Sequence, residues 1–153
     1  MASLRIPSGS GLLPAVILLA CLIGSMQPAS AQCAELPDCV LVWSDEFDGE
    51  EGTSPNPALW DYDVGGDGWG NQQLEFNTDR VQNVSLDGQG HLRIRALEES
   101  YNGNDYTSGR IKTQGLFAQA RGRFEARIKL PIGQGIWPAF WLLGADFEQV
   151  GWP

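Results

Sequence analysis

Positive charge is scarce: ten Lys plus Arg stand against 19 Asp plus Glu in 153 residues, a formal net charge of −9, and Arg5 is the only base before Arg80. Duplex nucleic acid is thereby excluded as a partner, because cations that neutralise phosphates supply most of that affinity. Histidine is rarer still, with His91 alone, and three cysteines spaced far from it do not make a zinc site. Long apolar runs are also missing. The longest, Leu12 to Ile23, falls short of the ~20 residues of helix that a bilayer core requires. Helical periodicity is absent too: no stretch keeps it through three turns without a Gly or Pro. What is abundant is aromatic and turn-forming, with six Trp, 19 Gly and nine Pro in a chain that is 42% hydrophobic and 19% charged. That composition excludes a disordered tail and calls for one packed domain with many turns and short strands.

The N-terminal run reads as an export leader. Arg5 precedes it, Pro28 follows it, and Ala29-Ser30-Ala31 supplies the small-x-small pattern of a cleavage site. Residues 1–31 are thus expected to be a signal peptide and the product secreted, either extracellular or periplasmic. A second reading takes Leu18-Leu19-Ala20-Cys21 as a lipobox leaving a lipidated Cys21, the one route to a membrane. Residues 32–40 form a short segment holding Cys33 and Cys39. In an oxidising compartment these two form either a small disulfide loop or a pair of free thiols.

From residue 41 onward the dominant period is two. Leu92, Ile94 and Ala96 alternate with His91, Arg93 and Arg95, and Asp87-Gly88-Gln89-Gly90 reads as a turn joining them to the apolar alternation of Val81 to Leu86. Arg121, Arg123, Glu125, Arg127 and Lys129 alternate with Gly122, Phe124, Ala126, Ile128 and Leu130. This predicts another half-buried strand, its cations forming a solvated face rather than a polyanion stripe. The fold class expected is all-β, an antiparallel sandwich or jelly roll. Charge is unevenly placed: 12 acidic residues lie between Glu35 and Asp79 with no base among them, whereas Arg80 to Lys129 holds nine bases and five acids. Early acids are therefore expected to pair with later cations in the fold.

Trp137 and Trp141 stand four apart around Pro138, Ala139 and Phe140. On a strand the two indoles share a face ~13 Å apart, leaving an open trough above Ala139. A sugar ring packs its C–H face on an indole, while its hydroxyls need amides, carboxylates and guanidinium groups. An acidic domain with Trp, Asn, Gln, Glu and Arg near such a trough suits a neutral polysaccharide.

Five blocks then occur in order: Trp43-Ser44-Asp45-Glu46-Phe47-Asp48-Gly49, Gly68-Trp69-Gly70-Asn71-Gln72-Gln73-Leu74-Glu75-Phe76, Tyr106-Thr107-Ser108-Gly109-Arg110-Ile111, Gly122-Arg123-Phe124-Glu125-Ala126-Arg127 and Trp137-Pro138-Ala139-Phe140-Trp141. Together, across residues 41–153, they resemble the N-terminal part of glycoside hydrolase family 16, and most closely its laminarinase (endo-β-1,3-glucanase) branch. The resemblance implies a concanavalin A-like jelly roll, incomplete in this chain, whose concave sheet binds β-1,3-glucan or mixed-linkage β-glucan and cleaves it with retention. It implies that Asn71 and Arg110 bond sugar hydroxyls, and that Trp137 and Trp141 line the subsites beside the scissile bond. It implies no cofactor for the chemistry, a structural calcium whose ligand positions include Glu46 and Gly90, and a monomer when complete. The family's two catalytic glutamates sit in an E-x-D-x-x-E strand just after a Gly-Trp-Pro segment. Here Gly151-Trp152-Pro153 are the last residues, so the pair is expected beyond residue 153 and no catalytic residue is assigned within the chain. The literal match Glu46-Phe47-Asp48-Gly49-Glu50-Glu51 runs into Gly52, Thr53, Ser54 and Pro55, a turn composition that disqualifies it. The alternative function is a non-catalytic β-glucan-binding protein on the same fold.

Overall fold

The computed structural model describes residues 40–151. The expected leader, Cys21 and the Cys33 and Cys39 pair lie outside the described residues. Within them the regular structure is nearly all strand: β1 (Asp61–Tyr62), β2 (Glu75–Asn77), β3 (Val84–Leu86), β4 (Leu92–Ile94), β5 (Leu97–Tyr101), β6 (Asn104–Ser108) and β7 (Ile111–Lys112), followed by a single helical turn, α1 (Phe147–Val150).

The β3–β4 hairpin forms where the sequence places it, with Val84 opposite Ile94 and Leu86 opposite Leu92. The Asp87 carboxylate nucleates its turn by accepting the amide N–H groups of Gln89 (2.8 Å) and His91 (3.1 Å). The expected alternation of burial does not hold along the hairpin, however. Val84, Ser85 and Leu86 are all buried, whereas Ile94 is exposed. The segment before β1 runs along β3 as well: Gly52 N–H donates to Leu86 O (2.9 Å) and Leu86 N–H to Thr53 O (2.8 Å). A second hairpin joins β5 to β6 through Asn102 (φ 48°) and Gly103 (φ 87°), the two-residue turn with both centres left-handed that suits the strand twist. Strand β6 is central in a sheet ordered β2-β6-β5, antiparallel to β5 and parallel to β2. The parallel pairing departs from an all-antiparallel expectation. It is possible because residues 78–103, passing through the β3–β4 hairpin, supply the long crossover that parallel neighbours need. Strands β1 and β7 pair antiparallel, with Asp61 opposite Lys112.

The core is polar at its centre. Asn83, Thr107, Thr78 and Ser85 are buried beside Val84 and Leu86. Asn83 Oδ1 accepts from Thr78 Oγ1 (2.6 Å) and Arg80 Nη2 (2.9 Å), while its Nδ2 donates to Thr107 Oγ1 (2.9 Å) and Arg95 O (3.1 Å). Glu99 completes the cluster by pairing with Arg80 and accepting from Thr107 Oγ1. The hydrogen bonds from Arg80 and Thr107 hold its carboxyl below the usual glutamate range. Adjacent Glu98 is exposed, as strand alternation requires. Because Asn83 is buried, the Asn83-Val84-Ser85 sequon is core and not an acceptor in the folded chain. A second, aromatic centre comes from the first family block. Trp43 stacks on Phe117 (5.5 Å) and meets Trp60 edge-on (5.4 Å), and Phe47 stacks on Trp60 (5.9 Å). Asp45 Oδ2 accepts the Trp60 indole N–H at 2.8 Å.

Residues 123–132 and 136–144 correct the reading of 121–130 as a paired strand. Both stretches are drawn out without strand pairing, and every side chain from 121 to 144 is exposed. Alternation states which side of a strand would be buried. It does not supply a neighbour, and among the described residues nothing ladders with this stretch.

Candidate functional site

Trp69, Arg110 and Trp141 meet. The Arg110 guanidinium carbon lies 4.5 Å from the Trp69 ring centroid and 4.7 Å from that of Trp141, both inside the range in which an indole face attracts a cation. Each partner is brought there differently. Trp69 belongs to a tight loop in which Gly68, Trp69, Gly70 and Gln72 all have left-handed φ. A bulky side chain rarely adopts that conformation, and here it is held by the indole N–H donating to Gly65 O (3.2 Å) and by Asp67 Oδ1 accepting Trp69 N–H (3.2 Å). Asn71 is on the same loop, its N–H bonded to Gly68 O (3.0 Å) and its residue exposed. Asn104 Nδ2 ties this region to β6 by donating to Gly66 O (3.2 Å) and Leu74 O (3.1 Å).

Arg110 immediately precedes β7 and is gripped by Asp63, which follows β1. Asp63 N–H donates to Arg110 O (2.9 Å), and Asp63 Oδ2 pairs with Arg110 Nε (3.0 Å). The other oxygen, Oδ1, takes Lys112 Nζ at 2.7 Å. That bond is the main reason the Lys112 ammonium holds its proton above the ordinary lysine range, against the opposing effect of burial. The early-acid, late-base pairing expected from the charge distribution is realised here, by Asp61 and Asp63 with Arg110 and Lys112, whereas Arg80 pairs with Glu99 of its own half of the chain.

Of the four expected sugar contacts, the structure brings Arg110 and Trp141 together and sets Asn71 on the loop that carries Trp69. Trp137 is 73% exposed and Trp141 43%, both in the unpaired stretch, so the shared strand face expected for them is not formed. The sequence motifs do not single out Asp63, Lys112 or the side chain of Trp69. A Trp between two glycines was the available sign for Trp69, since only an unusual loop needs that pattern. Chemically, the group offers flat apolar faces, an exposed amide and fixed cations, which suit a neutral polyol. Its two carboxylates, Asp61 and Asp63, are both turned to Lys112. Glu46, Asp48 and Glu51 are exposed in an irregular segment, with Phe47 at φ 56° and a turn at Glu51 and Gly52, so the literal E-x-D-x-x-E match does not align its acids.

Glu46 and Gly90 do approach each other. A Cβ on Gly90 would sit 3.4 Å from Glu46 O and 3.7 Å from Asp48 Oδ1. These are carbonyl and carboxylate oxygens, the hard donors that Ca²⁺ takes, and the residues fit that ion in kind. Among the described residues no three His, Cys, Asp or Glu side chains converge as a metal cluster, so main-chain oxygens would have to share the coordination.

The profile of glycosyl hydrolases family 16 matches residues 67–151. The Beta-glucanase of Rhodothermus marinus is 48% identical over 140 residues, covering 89% of this chain and 48% of that protein. The Glucan endo-1,3-beta-glucosidase A1 of Niallia circulans is 35% identical over 127 residues, covering 73% of this chain and 18% of the relative. Among solved structures, the laminarinase from a Flavobacterium species superposes with a TM-score of 0.61 at 35% identity, covering 74% of this chain and 47% of that one. The chain thus spans about half or less of the length of these relatives. The described strands are the N-terminal part of an all-β jelly-roll sandwich, as expected. On the family match and these likenesses, the chain belongs to glycosyl hydrolases family 16.

Proposed function

We propose that the complete protein is an exported endo-β-1,3-glucanase acting with retention, in which this chain builds one wall of the glucan cleft. The observation that carries this reading is the cluster of Trp69, Arg110 and Trp141 with Asn71 on the adjoining loop, inside the region matched by the family. Trp69, Trp137 and Trp141 offer stacking faces, Asn71 and Arg110 offer donors to hydroxyls, and laminarin-type glucan is the substrate. The two glutamates that retention requires, ~5 to 5.5 Å apart, belong on an E-x-D-x-x-E strand beyond residue 153. Phe124, Ile128, Phe140 and Leu142 are all exposed. Large apolar side chains exposed along one unpaired stretch call for a cover, and further strands carrying the acid pair are the cover proposed. The run Leu12 to Ile23 with Ala29-Ser30-Ala31 supports export. Ca²⁺ on the Glu46 and Gly90 side serves structure, not chemistry.

The complete protein should hydrolyse laminarin and leave agar and carrageenan intact. Asn71→Ala should lower kcat/KM by about 10- to 100-fold, equivalent to ~1.4 to 2.7 kcal/mol of transition-state binding. Unchanged kinetics would remove Asn71 from the cleft. Preference for a sulfated galactan would overturn the substrate assignment, and laminarin binding without hydrolysis would select the non-catalytic glucan-binding reading.

A further inference from the structure

We propose that Asp63 is a positioning residue for the glucan trough, fixing the Arg110 guanidinium against Trp69 and Trp141 so that Trp141 presents a defined face to sugar. The proposal rests on the β-glucan reading above and adds to it a residue that contacts no substrate.

Asp63 grips Arg110 at both ends: its N–H holds the Arg110 carbonyl (2.9 Å) and its carboxylate holds Nε (3.0 Å). Two fixed points on one residue set the direction in which the guanidinium leaves the backbone. The carboxylate is in turn held by Lys112, through its second oxygen at 2.7 Å, and Lys112 is anchored in the β1–β7 pairing. Asp61, 3.9 Å from the same ammonium, also faces this group, and the Glu148 carboxylate adds to the field on it. Asp63 and Arg110 are both about four-fifths buried at the side chain, where a charge-assisted bond is stronger than at an open surface.

Trp141 stands at the far end of this chain of contacts. Its backbone lies in a stretch without strand pairing, so side-chain contacts set how its ring is turned, and the guanidinium 4.7 Å from its centroid is one of them. Trp69 is held in addition by its indole N–H bond to Gly65 O and by the strained loop that carries it. An amide at position 63 carries no charge and keeps one acceptor oxygen, so the charge-assisted bond that fixes Arg110 is weakened or lost whichever way the amide is turned. Arg110 then swings, and Trp141 loses its register before any group that touches sugar has been altered.

The test uses the complete protein and laminari-oligosaccharides of defined length. Asp63→Asn should raise KM and the oligosaccharide Kd about tenfold, the equivalent of ~1.4 kcal/mol, with kcat within about twofold of wild type. Asp63→Glu should recover most of the affinity. Adding Asp63→Asn to Arg110→Lys should cost nothing further, because Asp63 acts only through Arg110. Additive effects, or a fall in kcat that tracks a fall in Tm, would assign Asp63 a merely structural role and overturn the proposal. A ligand-free arm separates this claim from the proposed function. Asp63→Asn should change the near-ultraviolet circular dichroism of the tryptophans, and that change should be markedly smaller in a Trp141→Phe background, Trp69 supplying the remainder. If wild type binds no β-1,3-glucan the functional reading fails, and the spectroscopic arm still decides whether Asp63 sets Trp141. No spectral change there refutes the positioning.

Discussion

Replacing Asn83 by alanine should be among the most damaging single changes in the described core. Asn83 is fully buried and uses all four of its hydrogen-bonding positions. Its partners fare differently once it is gone. Thr107 Oγ1 keeps Glu99 as acceptor, Arg80 keeps Glu99, and Arg95 is an exposed residue whose carbonyl can turn to water. Thr78 is the exception: it is buried, and Asn83 Oδ1 is the acceptor for its hydroxyl. An orphaned buried hydroxyl costs ~1 to 3 kcal/mol, and a lost bond to a charged group such as Arg80 ~1.5 to 3. The expected destabilisation is therefore ~3 kcal/mol, a large share of a net stability of ~5 to 15. Urea unfolding of the complete protein measures it. The mechanism has its own check: Thr78→Val removes the hydroxyl that Asn83→Ala strands, losing with it the acceptor of the Arg80 N–H (3.3 Å), so the double variant should lose less than the sum of the two single changes. A loss below ~1 kcal/mol, or full additivity with Thr78→Val, would refute the reasoning.

Acid should weaken the same core. Glu99 has its carboxyl held below the ordinary value of 4.5, so its contribution is complete above that pH and is lost as pH falls through the folded-state value. The urea midpoint should fall below about pH 4.5, and Glu99→Gln should flatten part of that fall; an unaltered acid limb would show that Glu99 contributes none of it. Gly90 has φ 78° and faces Glu46 O at the distance a methyl group would fill. Gly90→Ala should cost ~1 to 2 kcal/mol from backbone strain alone, read by thermal unfolding in EDTA. Calcium should raise the Tm of wild type and raise that of Gly90→Ala less, and a calcium response identical in the two would separate Gly90 from any ion site.

The hairpins were legible because their information is local. Asp87-Gly88-Gln89-Gly90 contains the side chain that caps the turn and the residues that tolerate its φ, and the opposite orientations of Glu98 and Glu99 follow from strand geometry once β5 exists. Burial was legible only where the covering group was near in sequence. Ser85 sits on the side that alternation sends to solvent, yet it is buried, on a strand along which residues 52 and 53 also run. The stretch from Arg121 to Leu130 shows the converse. Its alternation is the clearest in the chain, and it remains unpaired among the described residues because periodicity carries no information about whether a partner strand is within reach.

The candidate site divides along the same line. Asn71, Arg110, Trp137 and Trp141 could be named from blocks of sequence, since each lies in a run whose composition is unusual in itself. Asp63 could not, because an aspartate one residue from Tyr62 looks like any solvated acid. Its role exists only through the pairing of Asp61 with Lys112, which puts residue 63 opposite residue 110. The charge imbalance between the two halves of the chain implied that such pairs must form, but charge totals are blind to register. Register decides which acid meets which base, and here it selects the one pair that reaches both Trp69 and Trp141. A residue that orients a binding group need carry no motif of its own, so it is at the strand ends behind the aromatic loops, rather than within the family blocks, that further determinants of the proposed glucan binding should be sought.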